Sequence, residues 1–563
     1  MPTAFSRVAR LGEALEATRK RRELASLIAS YLQRLEPEEI GPGVRLVLGQ
    51  IFPEWDGRSL NLSWSAVSRI LSELTEDKVV DPRAAAKEAV DAGEVAQLLL
   101  EAANHKPRRP ALKLLEVYRG FEEISEVSGA GSQGRKDGLL RGLLQRAPPQ
   151  QAKYLVKNVL GEMRHGASEG MMVEAIAQTA GLRASDVRRA NQLTGDIGRV
   201  AEIALLEGEE GLAAVRPKLF RPLKPMLAQT ADAVEDALEK HGGESALEHK
   251  VDGARVQIHL KRRRGKRDRI RIYSRRLSDV TGSLPDVAEK VRTQLQADEA
   301  IVEGEVIAVD RKGRPLPFQD LMRRFRRVHG IEAVAKEVPV RLLLFDVLYR
   351  DGKSLVDDEY STRWAALEAM AGELGTVARE VISDVRAGEA FAETAYRSGH
   401  EGVMAKRPDS AYTPGVRGKS WFKIKRTESL DLVIVAAEWG YGRRHGWLSN
   451  YHLAVRDSSS GEFLEVGKTF KGLTDAEFKE MTDRLLGLER NRSGGTVRVE
   501  PRTVVEVTFN EIQKSAQYPS GLALRFARIT RIRDDKPPGQ ADTLQTLRGL
   551  YERQFRTKGR PSG

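Results

Sequence analysis

The stretch LEHKVDGARVQIHL, Leu247–Leu260, decides the fold. Its second half alternates polar and apolar residues from Arg255 to Leu260, which predicts a half-buried strand. The VDG turn ahead of that strand leaves Lys250 at a turn, with Glu248, Asp252 and Arg255 close by. A second alternating run, RIRIYS from Arg269, predicts the pairing strand. The very basic loop between them, KRRRGKRD, has Gly265 at its centre and reads as a hairpin tip. Its charge suits contact with phosphate or plain solvation. AIVEGEVIAV (Ala300–Val309) and VRLLLFDVLY (Val340–Tyr349) predict further strands, and amphipathic helices such as STRWAALEAMAGEL interleave. The pattern is mixed α/β with antiparallel pairing.

Towards the N-terminus the period changes, and residues 1 to about 210 read as helical. YLVKNVLGEMRHG sets Leu155, Val156, Val159, Leu160 and Met163 on one 3.6-residue face, with Gly166 as its expected stop. Ser168 and Glu169 then open a helix carrying Met172, Val173 and Ile176. Pro217, Pro222 and Pro225 cannot share one regular helix, so RPKLFRPLKPMLAQ is a linker. Beyond WFKIKRTESLD, the runs DLVIVAAEWG, NYHLAVRD, EFLEVGKTF and RTVVEVTFN predict four or five short strands, with LTDAEFKEMTDRLLGL as a single helix among them. That composition suits a small Greek-key barrel of the OB type.

The chain has 563 residues, 40% hydrophobic and 31% charged, which fits several globular domains. It has no cysteine, which excludes disulfides, thiol nucleophiles and cysteine-bound zinc. No apolar run is long enough for a membrane helix, and the N-terminus lacks a secretory core, so a cytoplasmic, chromosome-associated location is expected, or a nuclear one in a eukaryote. A net charge of +12 points to a polyanionic partner, most simply nucleic acid.

A lone K-x-D-G recurs by chance and would ordinarily be a solvated turn. Here it is followed in order by YSRR with Arg275, VEGEV with Glu303 and Glu305, FDVLY with Phe345 and Asp346, EGVMAKRP with Glu401 and Lys406, GVRGKSWFKIK with Arg417, Lys423 and Lys425, and ALRFARITRIRDDK with Arg525 and Arg528. This series resembles the nucleotidyltransferase superfamily, most closely the replicative-type ATP-dependent DNA ligases of archaea and eukaryotes. LGEMRHGASEGMMVEAIA resembles their helical DNA-binding domain, and QKSAQYPSGLALRFARI their C-terminal barrel.

The resemblance implies three domains: an all-α DNA-binding domain at 1–212, an α/β, antiparallel-sheet adenylation domain at 213–427, and an all-β OB-fold with tail at 428–563. It implies that Lys250 takes AMP from ATP, that AMP passes to the 5′-phosphate of nicked double-stranded DNA, and that the 3′-hydroxyl displaces it. Glu248 is implied beside the base, Arg255 and Arg275 on ribose and phosphate, and Phe345 stacked on adenine. Glu305 is implied on the ribose, with Glu305 and Glu401 on Mg²⁺. Arg417, Lys423 and Lys425 are implied on phosphates, and Arg525 and Arg528 at the leaving pyrophosphate.

The attacking amine must be neutral. With a reference pKa of about 10.4, only about one lysine in a thousand is neutral near pH 7, a deficit of about 4 kcal/mol. Lys406, Lys423, Lys425 and Mg²⁺ are expected to supply a positive field that lowers it. Of Glu303 and Glu305, which share a strand face, Glu305 is expected to act in chemistry and the other to hold an ion pair. Ala527 stands where these ligases usually have proline. QDLMRRF (Gln319–Phe325) superficially resembles a sliding-clamp peptide, but Arg326 replaces its second aromatic, so no clamp partner is evident. A monomer is expected. The readings left open are an RNA ligase or capping-type enzyme, and a DNA-binding protein on a dead ligase fold.

Overall fold

The computed structural model describes residues 2–53, 55–75, 89–325, 331–425 and 428–554. Helices fill the chain from Ser6–Glu16 to Gly208–Ala213, and the first strand, β1, is Leu227–Thr230. The linker between them is irregular, as three prolines require.

The Ser168 hydroxyl accepts from the Met171 amide (3.4 Å) and caps the helix Glu169–Ala180, as its sequence predicts. The stop of the preceding helix needs correction. Pro149–Leu160 ends at Gly161, not Gly166. Gly161 adopts φ +69°, and the Glu162 amide reaches back to the Lys157 carbonyl (2.9 Å). The first glycine able to take the left-handed conformation closes the helix. Met163 therefore lies beyond the helix, although it is still buried.

The central region consists of two five-stranded sheets. One contains β1 with β2 (Ser245–Lys250), β8 (Arg379–Ile382), β9 (Gly402–Lys406) and β10 (Arg417–Lys425), in the order β1-β10-β9-β2-β8. The other runs β4-β3-β5-β6-β7, from β3 (Ala254–Lys261), β4 (Arg269–Ser274), β5 (Glu299–Ala308), β6 (Val340–Arg350) and β7 (Lys353–Ser354). All pairs are antiparallel except β1 with β10.

β3 and β4 form the expected hairpin, with Lys261 opposite Arg269. Arg262 anchors its tip through the carbonyls of Arg292, Leu295 and Ala297 and through Asp268. Arg263, Arg264, Lys266 and Arg267 stay exposed beyond it. The linker is fastened along the same strand: the Phe220 amide donates to His259 Nδ1 (2.8 Å) and the Leu223 amide to Gln257 Oε1 (2.8 Å). Burial pulls His259 down to about 3, so it stays neutral and can accept that bond.

QDLMRRF lies in the helix Phe318–Phe325, and Arg326 falls outside the described residues. Gln319, the residue a clamp peptide would present first, donates instead to Gln513 Oε1 (2.6 Å) of the C-terminal region.

That C-terminal region is richer in strands than its sequence suggests. Its described residues form nine strands, seven in one sheet and two in a hairpin, with the predicted helix Asp475–Leu486 among them. Two of the extra strands, Glu489–Ser493 and Thr496–Val499, pair with each other, and the first is exposed throughout. A strand without a buried face carries no hydrophobic alternation for the sequence to display.

Candidate active site

The two-residue period of the first sheet assembles the site. On β2, Glu248 and Lys250 share a face, while Leu247 turns into the apolar core behind. Register places Lys250 opposite Gly402 and Glu248 opposite Met404 on β9. The next strand places Lys425 opposite Gly402, Lys423 opposite Met404, and Trp421 opposite Lys406. One sheet face thus presents Glu248, Lys250, Met404, Lys406, Trp421, Lys423 and Lys425, while Val403, Ala405, Phe422 and Ile424 fill the core behind it.

Two glycines permit this closeness. A Cβ on Gly402, at φ +148°, would stand 2.1 Å from the Ile424 carbonyl oxygen. A Cβ on Gly253, in the VDG turn, would stand 2.3 Å from the Val306 carbonyl oxygen. Gly253 therefore lets the turn pack against β5, which carries Glu305.

Lys250 Nζ lies 2.6 Å from Glu401 Oε2, and Lys425 Nζ lies 2.6 Å from the same oxygen. The Glu401 amide donates to the Lys250 carbonyl (3.0 Å), so both ends of this pair are fixed by backbone. Burial would raise the Glu401 carboxyl, but Lys250 and Lys425 outweigh it and hold it at about 2. Burial pushes the Glu305 carboxyl up to about 7, against the pull of Lys250 and Arg255. The Glu305 carboxylate takes no hydrogen bond from any described residue.

The expectation that the surroundings lower the Lys250 pKa needs correction. Burial does pull it down, but Glu401, Glu305 and Asp252 more than compensate, and the ammonium is held above its ordinary value. Lys406 does not join the positive field expected around Lys250. It is buried 2.8 Å from Glu248 Oε1 and donates to the Phe345 carbonyl (3.0 Å), because register sets it beside Ala246 and Trp421. Lys423 does lie within that field: burial, Lys425, Arg417 and Lys250 together push its pKa down.

The opposite wall comes from the second sheet. Arg255 pairs with buried Glu303 (2.7 Å) and donates to the Met226 carbonyl (2.7 Å) and the Tyr412 hydroxyl (3.2 Å). Of the two strand-face glutamates it is Glu303 that holds an ion pair. Phe345 is buried, with the Arg255 guanidinium 5.3 Å and Lys406 Nζ 4.8 Å from its ring centre. Arg275 is exposed in the turn after β4, and Arg417 is exposed at the start of β10.

Arg525 donates to Gln513 (3.3 Å), Arg528 is exposed at the start of a strand, and no contact joins either to Lys250 among the described residues. Phe526 between them has φ +57° and is exposed, while Ala527 is buried. Tyr360, Tyr412 and Trp421, all buried, and Met404 pack around these groups. Of these, only Met404 and Trp421 left a sequence signal, their strand period.

Among the described residues no cluster of three or more acidic or histidine side chains is arranged to hold a metal. Glu305 and Glu401 nonetheless interact electrostatically and face Lys250. Two carboxylates suit a hard cation that takes its remaining ligands from water and phosphate.

Lys250 is thus held beside carboxylates from both sheets, Glu401 and Glu305, with Lys423 and Lys425 on its own sheet face. Comparison with known proteins gives the family. Three family descriptions match in order: "DNA ligase N terminus" over residues 4–177, "ATP dependent DNA ligase domain" over 225–425, and "ATP dependent DNA ligase C terminal region" over 444–536. "DNA ligase 1" of Korarchaeum cryptofilum is 46% identical over 98% of each chain. "DNA ligase" of Thermococcus fumicolans is 43% identical over 99% of this chain and 100% of its own. "Probable DNA ligase" of Anaeromyxobacter dehalogenans is 42% identical over 97% and 99%. The solved structure "Pmar-Lig_PreS3" shares the fold, at TM-score 0.54 and 17% identity over 93% of this chain and 99% of that one. The chain belongs to the ATP-dependent DNA ligase family. Within that family it is of the archaeal type, an enzyme that uses ATP.

Proposed function

We propose that this chain seals nicks in duplex DNA, in replication, repair and recombination, through AMP carried on Lys250. The observation that supports this most is Lys250 Nζ set 2.6 Å from Glu401, with Lys425 on the same carboxylate oxygen. The amine attacks the α-phosphorus of ATP as pyrophosphate leaves. AMP then passes to the DNA 5′-phosphate, and the 3′-hydroxyl displaces it. Lys423, Lys425 and Arg417 hold the phosphates, and Arg275 and Arg255 bound the ribose side. Phe345 bounds the base. Glu248 Oε2, which takes no hydrogen bond from any described residue, accepts from the 6-amino group of adenine.

Glu305 and Glu401 would hold Mg²⁺ beside the phosphates, where it supplies charge neutralisation. The domain boundaries we propose lie at 212/213 and 427/428, each close to a change of element type: the last N-terminal helix ends at Ala213 and a C-terminal strand starts at Glu428. We further propose that the protein works as a monomer on the chromosome, without a clamp peptide at QDLMRRF. No helix of the described residues is long and apolar enough to cross a membrane.

A sealing assay across ATP, ADP, GTP and NAD tests this reading. ATP should support joining of a 5′-phosphate nick. Joining with NAD alone, or guanylylation without joining, would sink it.

Because carboxylates hold Lys250 protonated, its reactive form grows as pH rises. At saturating ATP and low Mg²⁺, single-turnover lysyl-AMP formation should rise about tenfold per unit between pH 7 and 9. A flat profile would mean that the amine is already neutral.

Arg525→Ala should slow lysyl-AMP formation at least tenfold while sparing the final joining step, because pyrophosphate is present only in the first. Normal labelling with ATP by that variant would show that Arg525 does not reach the leaving group.

A further inference from the structure

We propose that Tyr360 is a positioning residue that fixes Glu248 so that the pocket takes a base with an amino group at its 6-position and turns away one with a carbonyl there. This rests on the lysyl-AMP reading above. Glu248 is buried two residues before Lys250 on the same strand face, roughly 7 Å along the strand. Both of its donors act on one oxygen: the Tyr360 hydroxyl and Lys406 Nζ meet Oε1.

Neither donor can follow a rotation of the carboxylate. Lys406 is held by the Phe345 carbonyl and sits 4.4 Å from the Trp421 ring centre and 4.7 Å from that of Tyr360. Tyr360 is buried against Trp364 (ring centres 6.2 Å apart), with the Arg379 guanidinium 5.3 Å from its own ring centre.

With Lys406 Nζ 2.8 Å from Oε1 and the Tyr360 hydroxyl donating to the same oxygen, Oε2 is left as an acceptor. Oε2 therefore suits the 6-amino group of adenine and opposes the O6 acceptor of guanine. Guanine could be bound only if Glu248 swung to its N1–H, and Tyr360 with Lys406 prevents that swing. A site built around a fixed hydrogen bond discriminates far better than a shaped apolar pocket.

Tyr360→Phe keeps the ring and removes the hydroxyl. Lysyl-nucleotide formation by this variant should show a KM for ATP raised about tenfold, kcat within about twofold of wild type, and an ATP-to-GTP preference in kcat/KM lowered about tenfold. A lesion of folding alone would not shift the nucleotide preference. Glu248→Gln is the second arm and decides if Tyr360→Phe fails to fold: its amide offers an N–H to O6, so GTP labelling should rise relative to ATP. A preference unmoved by both substitutions, or a kcat loss in Tyr360→Phe with KM unchanged, overturns the proposal. A wild-type protein labelled by neither nucleotide overturns the lysyl-AMP reading itself, and this inference with it.

Discussion

Lys250→Ala should show no labelling by α-labelled ATP and no sealing of an ordinary 5′-phosphate nick, yet should still join a nick that already carries AMP on its 5′-phosphate. The first two losses follow because the side chain is the only proposed acceptor for AMP. The retained activity follows from the last step, where the attacking group is the DNA 3′-hydroxyl and no protein nucleophile is needed. What that step needs is a site holding the two strand ends in line. The rate should nonetheless be below wild type, since the ammonium beside Glu401 also steadies phosphate charge. Glu401→Ala gives the complementary result. It removes the carboxylate shared by Lys250 and Lys425 and one of two proposed Mg²⁺ ligands, and should fail on both substrates. A capping-type enzyme would join neither nick, and a dead binding fold would do no chemistry. Full ATP-dependent sealing by Lys250→Ala would remove the lysine from the mechanism.

Nick binding should collapse with salt. The chain carries a net charge of +12, its sequence contains no evident base-reading motif, and a ligase must act at any sequence. If the three domains together neutralise roughly six to ten phosphates, counterion release predicts an affinity loss of about 10³–10⁵-fold between 50 and 200 mM salt. The hairpin tip shows what such cations look like here. Lys261 is paired with Glu299 (2.7 Å), whereas Arg263, Arg264, Lys266 and Arg267 are exposed with no ion pair among the described residues. Equilibrium binding to a nicked duplex across that salt range checks the prediction, and a flat titration would count against phosphate-dominated recognition.

The second central sheet was largely legible: RVQIHL and RIRIYS alternate between turns and form β3 and β4, and their basic loop is the tip between them, whereas the first sheet's strands, mostly short or buried on both faces, showed no alternation as long. Ser168 was legible because a hydroxyl before a helical run has one natural use. What escaped the sequence depends on register and distance along the chain. Lys406 follows EGVMA with nothing to show that it lies across from Ala246 and Trp421 and buries its charge on Glu248. Tyr360, on a helix far along the chain from Glu248, gave no sign that its hydroxyl meets that carboxylate. The charge balance at Lys250 was misjudged for the same reason. Lysines are prominent in the motifs, but Glu401 is brought to the amine by a backbone hydrogen bond and Glu305 by the strand packed against the Gly253 turn, neither of which short motifs encode. Gly161 preceded the expected stop at Gly166, and a helix takes the first left-handed exit it meets.

The central claim is that AMP is carried on Lys250, and peptide mapping tests it most directly. The protein is incubated with α-labelled ATP and Mg²⁺, denatured and digested, and the labelled peptide is identified by mass spectrometry. The account predicts one acid-labile AMP group, linked through nitrogen to Lys250 in LEHKVDGAR, and no label from γ-labelled ATP. AMP found on Lys423, Lys425 or any other residue, with Lys250 unmodified, would contradict it.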